Sequence, residues 1–343
     1  MNIAVFEVAE WERQTFERLE DEHDIQSAAD PLLPDNAGEY RDAEIISAFI
    51  YSKLSRGTLE KLPNLKLIAT RSTGFDHIDQ DFCNEKNIAI CNVPSYGENT
   101  VAEHVFALLL MISHRLKEAV DRTRRGDFSF EGLRGFDLKG RTLGIIGTGH
   151  IGECTARIAK GFGMSILAMD LKPREDLAEE LGFDYVDMDT LLAKSDVVTI
   201  HVPAKADTKC MFTKEQFAKM KDSAVLINTA RGNLVDNEAL MDALSSGKLK
   251  AAGLDVLPEE PMIREEAELL RPSKLQKQKM EDLLADHLLL RMNNVVITPH
   301  NAFNTKEAVE RILSTTFKNI TGFIKGDPLN VVNDAELQHM AKG

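Results

Sequence analysis

The sequence predicts an α/β protein made of two lobes, each a doubly wound parallel sheet, and three observations carry that prediction. Short β-rich apolar runs alternate with helical stretches along most of the chain, the pattern of parallel strands joined by helical crossovers. The length of 343 residues exceeds what one hydrophobic core usually fills. The strand candidates also fall into two series, separated by a polar stretch holding Gly126, Gly132, Gly135 and Gly140.

The first series runs over 3–6, 44–49, 65–70 and 88–91 and predicts a small sheet. A helix is expected over 99–120, with Val101, Val105, Leu108, Leu109, Ile112, Leu116 and Val120 on one buried face. Thr100 followed by Glu103 reads as its capping box. The second series, 142–146, 165–169, 196–200, 224–228, 251–255 and 295–298, predicts a larger sheet. A last helix over 306–325 carries Val309, Ile312, Leu313, Phe317, Ile320, Phe323 and Ile324, and Gly326 and Pro328 end it. The charged stretch 263–290 reads as a helical insertion.

Hydrophobic residues at 43% and charged residues at 28% are the balance of a globular protein. A formal charge of −14 argues against nucleic acid as partner. The one basic run, Arg122, Arg124 and Arg125 near Lys117, reads as the solvated end of a helix. The start, MNIAVFEVAE, has no basic region before Glu7 and is read as a strand, not a signal peptide. The longest apolar run, 105–112, is far short of the roughly 20 residues that span a bilayer, so no membrane segment is expected. Cys83, Cys91, Cys154 and Cys210 lie far apart, without CxxC or metal-ligand spacing. They are read as small buried hydrophobes in a reducing cytoplasm, with no metal site.

The chemistry starts at Gly147, Gly149 and Gly152 in GTGHIG, directly after the strand TLGII and before a helical run over 153–162. Glycines there permit a tight turn and a close backbone approach to a pyrophosphate at a helix N-terminus. Asp170 ends the next strand about twenty residues on, where a carboxylate takes the ribose hydroxyls and repels a 2′-phosphate. The reading is NAD rather than NADP.

Parallel sheets bind ligands outside the carboxyl ends of their strands. His201 to Pro203, Thr229 to Gly232, Asp255 with Glu260, and His300 all follow strand candidates. An Arg, a Glu and a His on one rim suit hydride transfer to a 2-oxo acid. Arg231 can grip a carboxylate bidentately. His300 can give a proton in reduction and accept one in oxidation. Glu260, paired to the other imidazole nitrogen, would favour the protonated ring. Singly, each has a bland reading: Arg231 as an ion-pair residue, Glu260 as a loop acid, His300 as a satisfied turn residue. Together with the glycine motif they form a candidate site.

These motifs, GTGHIG with Asp170, HVP at 201–203, INTARG at 227–232, GLDVLPEEP at 253–261 and TPHNAF at 298–303, resemble those of the D-isomer-specific 2-hydroxyacid dehydrogenases. RSTGFDHID at 71–79 and NVPSYGENTVAEH at 92–104 are similar to the D-lactate dehydrogenase branch. The resemblance implies a Rossmann NAD lobe, 99–301, inserted into a smaller flavodoxin-like substrate lobe of 1–98 and 302–343, joined by two crossing helices and usually a homodimer. Carried over, the catalytic triad falls on Arg231, Glu260 and His300, and the carboxylate-binding turn on Ser72, Thr73 and Gly74. Tyr96 matches a substrate-contacting tyrosine, with Tyr51 and Phe303 as aromatic walls that could equally be core. Implied cofactor contacts are Gly147, Gly149, His150, Ile151, Gly152, Asp170, His201, Val202, Pro203, Thr208, Thr229, Ala230 and Asp255.

His77, His104 and His114 receive no catalytic role in this reading. The implied activity is a hydride exchange between NAD(H) and a small D-2-hydroxy acid, with pyruvate and D-lactate first. Longer 2-oxo acids, hydroxypyruvate and glyoxylate are the alternatives within the class. Outside it stands a corepressor like the C-terminal binding proteins, in which NAD serves assembly.

Overall fold

The computed structural model of the chain describes residues 1–205, 207–258 and 287–333. It divides into two units, Met1–Tyr96 with Thr305–Gly343, and Gly97–Asn304. Every strand pairing within the two sheets is parallel.

The first unit holds β1 (Asn2–Val5), β2 (Asp24–Ser27), β3 (Ile45–Ala48), β4 (Leu67–Thr70) and β5 (Ala89–Cys91) in the order β2-β1-β3-β4-β5. That is the flavodoxin-like winding. The strands β3, β4 and β5 are buried at every position, so they read as unbroken apolar runs. Sequence periodicity did not find β2, because this edge strand, DIQS, buries no side chain fully. After the Lys306–Ile324 helix the chain returns to the β5 edge, where Val332 N–H donates to the Ile90 carbonyl at 2.9 Å.

The second unit holds β6 (Thr142–Ile146), β7 (Ser165–Met169), β8 (Asp184–Tyr185), β9 (Val197–Ile200), β10 (Ala224–Asn228), β11 (Leu249–Leu254) and β12 (Val295–Ile297). Their order, β12-β11-β10-β9-β6-β7-β8, is a Rossmann winding with its switch point between β6 and β9. Alternate side chains feed two cores. Leu143, Ile145, Val197, Val225 and Ile227 pack with Val105, Leu108 and Leu109, whereas Ile146, Val198, Ile200, Leu226 and Leu254 pack with Phe212, Phe217 and Leu240. Both faces are therefore covered. The short edge strand β8 also escaped the sequence reading.

The expected single helix over 99–120 is two helices, Glu98–Ser113 and Leu116–Arg124. Arg115 between them adopts φ of 50°, a left-handed conformation that no helix continues through. Leu116 and Val120, expected on the buried face, are each 45% exposed. The helix starts at Glu98 with Gly97 as N-cap and no side-chain cap, so Thr100 and Glu103 form no capping box; Thr100 is buried instead. The thiols also divide: Cys83 and Cys91 are buried, Cys154 is half-buried, and Cys210 is exposed, against expectation. Most of the insertion lies outside the described residues, among which no helix is long and apolar enough to cross a membrane.

The Glu98–Ser113 helix lies so close to the sheet that a Cβ on Gly253 of β11 would stand 2.8 Å from Ile227 Cδ1 and 3.1 Å from Leu108 Cβ. Gly253→Ala must then push helix and sheet apart, at a cost of about 1–3 kcal/mol. A urea titration should show a lower midpoint with unchanged slope; a midpoint equal to wild type would mean that the contact is loose.

Candidate active site

In the second unit the polar segments named from the sequence follow β6, β7, β9, β10, β11 and β12, and parallel pairing puts all of them on one edge of the sheet. The turn after β6 depends on backbone approach. Gly147 has φ of 94°, and a Cβ there would stand 2.8 Å from the His201 carbonyl oxygen. A Cβ on Gly152 would lie 2.0 Å from the Gly147 carbonyl oxygen. Gly149, in contrast, caps the His150–Gly161 helix with nothing within 4 Å of its Cβ position. The first and third glycines close the turn, and the second leaves an open cradle at a helix N-terminus.

Asp170 follows β7 and is fixed by its own loop. One carboxylate oxygen accepts from Thr148 N–H at 2.6 Å and Thr148 hydroxyl at 3.1 Å, and the other from Lys172 N–H at 2.9 Å. Partial burial raises its pKa, but the hydrogen bonds from Lys172, Thr148 and Leu171 together outweigh that and hold it below the usual carboxylate value. Asp170 stays ionised. Tyr185 extends the array, its hydroxyl lying 2.8 Å from that of Thr148 and accepting from Arg174 N–H at 3.0 Å; no motif pointed to this tyrosine.

After β9, His201 donates its backbone N–H to Ile146, and its ring nitrogen Nε2 lies 3.1 Å from the Thr199 hydroxyl. Burial pushes its pKa down to about 4. The loop through Val202 and Pro203 is closed by Thr208, whose hydroxyl accepts from Lys205 N–H at 2.8 Å and donates to the Pro203 carbonyl at 2.8 Å. His150 is exposed, and Ile151 and Ala230 are half-buried on the same edge.

After β10, the Asn228 side chain ties the turn: its carbonyl accepts from Ala230 N–H at 3.0 Å and its amide donates to the Arg231 carbonyl at 2.9 Å. The Arg231 guanidinium donates to the Ala230 carbonyl at 2.8 Å. A Cβ on Gly232 would stand 2.2 Å from the Leu257 carbonyl carbon, so the Arg231 turn and the segment after β11 meet backbone to backbone. The Thr229 hydroxyl is buried without a hydrogen-bond partner among the described residues.

After β12, His300 adopts φ of 51°. The turn around it is clamped by Asp255, which is 1% exposed. Its carboxylate accepts from the Thr298 hydroxyl at 2.5 Å, Asn301 N–H at 3.0 Å and Ala302 N–H at 2.9 Å. The Thr298 hydroxyl also lies 3.0 Å from Nε2 of His104, on the Glu98–Ser113 helix. Sequence reasoning gave Asp255 to the cofactor and left His104 without a role. The structure turns both Asp255 oxygens toward the His300 turn. Phe303 is half-buried beyond it, and Glu260 lies outside the described residues.

The first unit holds the remaining predicted residues. Ser72 is buried, its hydroxyl donating to the Gly74 carbonyl at 2.6 Å, while the Thr73 hydroxyl donates to the Val93 carbonyl at 2.7 Å and Asn92 donates to the Thr73 carbonyl at 2.8 Å. The 72–74 turn is thus rigid. Arg71 beside it is buried and donates to the carbonyls of Phe6 and Glu7. Glu7 in turn accepts from the N–H groups of Phe49 at 2.8 Å and Tyr51 at 2.7 Å, and from the Ser52 hydroxyl at 2.6 Å. This cage fixes the backbone at Tyr51, and the Tyr96 carbonyl accepts from Arg311 at 2.6 Å. Glu7 and Arg71 were not anticipated. No group of three metal-ligating side chains occurs among the described residues.

The profile described as "D-isomer specific 2-hydroxyacid dehydrogenase, NAD binding domain" matches residues 106–302. A D-lactate dehydrogenase of Escherichia coli is 34% identical over 95% of this chain and 98% of its own length. The chain belongs to the D-isomer specific 2-hydroxyacid dehydrogenase family. A glyoxylate reductase of Thermococcus litoralis is 35% identical over 92% of both chains. The solved D-lactate dehydrogenase of Aquifex aeolicus, complexed with NAD and lactic acid, superposes with a TM-score of 0.85 at 38% identity, covering 95% of this chain and 96% of that one. This family member is NAD-dependent, and its residues fit the dinucleotide: an open cradle at Gly149, an ionised Asp170 and an unsatisfied buried hydroxyl at Thr229.

The His201 value has a consequence for this dehydrogenase. Its folded pKa, about 4, lies below the ordinary 6.5, so between those values the unfolded chain takes up a proton that the folded chain refuses. Stability from this group is full above 6.5 and is lost as pH falls toward 4. His201→Gln should flatten the fall in urea midpoint over that window; a fall as steep as in wild type would give the acid sensitivity to other groups.

Proposed function

We propose that the protein is an NAD-dependent reductase of small 2-oxo acids to D-2-hydroxy acids, with pyruvate to D-lactate as its first substrate pair. The observation that carries this reading is the common edge: the glycine cradle, the Arg231 turn and the clamped His300 turn all follow strands of one parallel sheet. The cofactor contacts are assigned to Gly147, Gly149, His150, Ile151, Gly152, Asp170, the 201–203 segment, Thr208, Thr229, Ala230 and Asp255. Asp170 sets NAD above NADP by repelling a 2′-phosphate.

Bound NADH supplies the hydride that the carbonyl carbon receives. Arg231 holds the substrate carboxylate with two parallel hydrogen bonds, which fixes the face that the carbonyl presents. The family resemblance assigns the Ser72, Thr73 and Gly74 turn, Tyr51, Tyr96 and Phe303 to substrate binding. His300 gives its proton to the carbonyl oxygen as the alcohol forms and takes it back in oxidation. Glu260, which lies outside the described residues, is carried over from the family resemblance as the acid partner of His300.

Pyruvate is favoured by the lactic acid and D-lactate dehydrogenase named for the similar proteins, and glyoxylate is the runner-up on the same ground. A pocket distinguishes substrates that differ by one methylene by only about 1–3 kcal/mol. The working form is a homodimer in the cytoplasm, where a thiol as exposed as Cys210 stays reduced. Support for the second copy comes from residues 116–130, where Leu116, Val120, Phe128 and Phe130 are 45%, 45%, 81% and 89% exposed.

NADH oxidation with a panel of 2-oxo acids, ranked by kcat/KM with chiral analysis of the product, tests the reading. A D product with pyruvate at the head is expected; negligible turnover with every acid would leave an NAD-binding assembly protein instead. His300→Ala should lower kcat by about 10² to 10⁴ with NADH affinity intact. A variant that keeps wild-type kcat would remove His300 from the reaction.

A further inference from the structure

His300 sits in a backbone conformation that β-carbon sterics disfavour, with φ of 51°. Such a residue stays in place only if its surroundings hold it, and here the hold is Asp255, which grips the turn before His300 through Thr298 and after it through Asn301 and Ala302. The Thr298 hydroxyl donates to Asp255, so its single proton is committed there. Toward His104 the Thr298 oxygen can therefore only accept, and the proton between them must sit on His104 Nε2, 3.0 Å away. Either the neutral Nε2–H tautomer or the imidazolium meets that demand. The same nitrogen is 3.5 Å from Asp255 Oδ1, and the imidazole is only 19% exposed.

A histidine at this helix position is chemically specific for what it faces. An apolar side chain there would fill the space but would leave the Thr298 oxygen and the buried Asp255 carboxylate without a donor from that side, at the cost of desolvated acceptors. The Asp255 carboxylate would then keep its bonds to the turn but lose the imidazole that faces it from the helix.

Resting on the assignment of His300 as the proton donor, we propose that His104 is a positioning residue for the reaction. Through Thr298 and Asp255 it fixes the turn that aims His300, without touching substrate or cofactor. The turn holds its fold when His104 is replaced, because three backbone and hydroxyl bonds to Asp255 remain, but it loses the rigidity that keeps the imidazole within the few tenths of an ångström that proton transfer needs.

The test compares three variants in the full-length enzyme, with His300→Ala beside them. His104→Phe should lower kcat for 2-oxo acid reduction by about tenfold or more, while KM for the acid, NADH affinity by fluorescence titration and Tm stay near wild type. His104→Gln places an amide donor where Nε2 stands and should recover most of the turnover. His104→Asn reaches only as far as Nδ1 and should not. If His104→Phe keeps wild-type kcat, or if kcat falls only in step with Tm and NADH affinity, the residue is packing and the inference is overturned. Should His104→Phe fail to fold, the Gln and Asn pair decides alone: equal turnover in the two overturns the inference. His300→Ala separates the layers. Full activity there sinks the acid–base assignment itself, whereas its loss together with indifferent His104 variants sinks only the positioning role.

Discussion

Everything on the functional edge of the second unit depends on β6 and the helix after it meeting through backbone alone. With 2.0 Å between a notional Gly152 Cβ and the Gly147 oxygen, no other residue lets the helix start where it does. Gly147 in turn lets the β9 end come close behind the turn, so the His201 carbonyl lines the same corner. From that fixed corner Thr148 N–H points at Asp170, and Asp170 is held ionised by the chain before any ribose arrives. The cradle, the carboxylate and the β9 loop are consequences of one close approach, which is why three glycines and an acid carry so much information.

What the sequence made legible follows the same physics. Strands covered on both faces, such as β9 and β10, must be apolar throughout, and their runs are visible at sight. Edge strands need no such pattern, so DIQS at β2 and the two residues of β8 left no signal. The helix break at Arg115 was hidden because Leu116 and Val120 continue the apolar spacing on a surface that this chain leaves exposed. The site divides in like manner. That Arg231 and His300 follow strands was legible because motif and strand end coincide, whereas the bond from His104 to Thr298 joins residues 194 apart in sequence and no local rule connects them. The Glu7 cage escaped for the same reason, its partners lying 42 to 45 residues on.

Charge withdrawn from solvent is the other recurring element: Asp255 and Arg71 are buried, Glu7 is half-buried, and backbone groups supply most of their partners. Asp255 takes two N–H groups and a hydroxyl, Glu7 takes N–H groups of the 49–52 turn, and Arg71 gives to two carbonyls. Such groups contribute little net stability, since desolvation offsets most of the attraction. Their effect is on conformation: an ion satisfied by several backbone groups at once fixes those groups relative to each other, which a hydrophobic residue of equal volume could not do.

That distinction explains where the strain lies. Among the non-glycine residues at positive φ, Glu7 follows β1 and His300 follows β12, each at the carboxyl end of a strand where parallel sheets collect their ligands. Each is also attached to a buried charged side chain, His300 through its flanking residues to Asp255 and Glu7 through its carbonyl to Arg71. A left-handed residue at a strand end turns its side chain away from the direction that an extended chain would give it. An ionic clamp holds it there against an intrinsic preference of about 1–3 kcal/mol. At these two positions the unfavourable backbone and the buried charge act together, and the second unit adds a third member by bringing the helix-borne imidazole of His104 to Asp255.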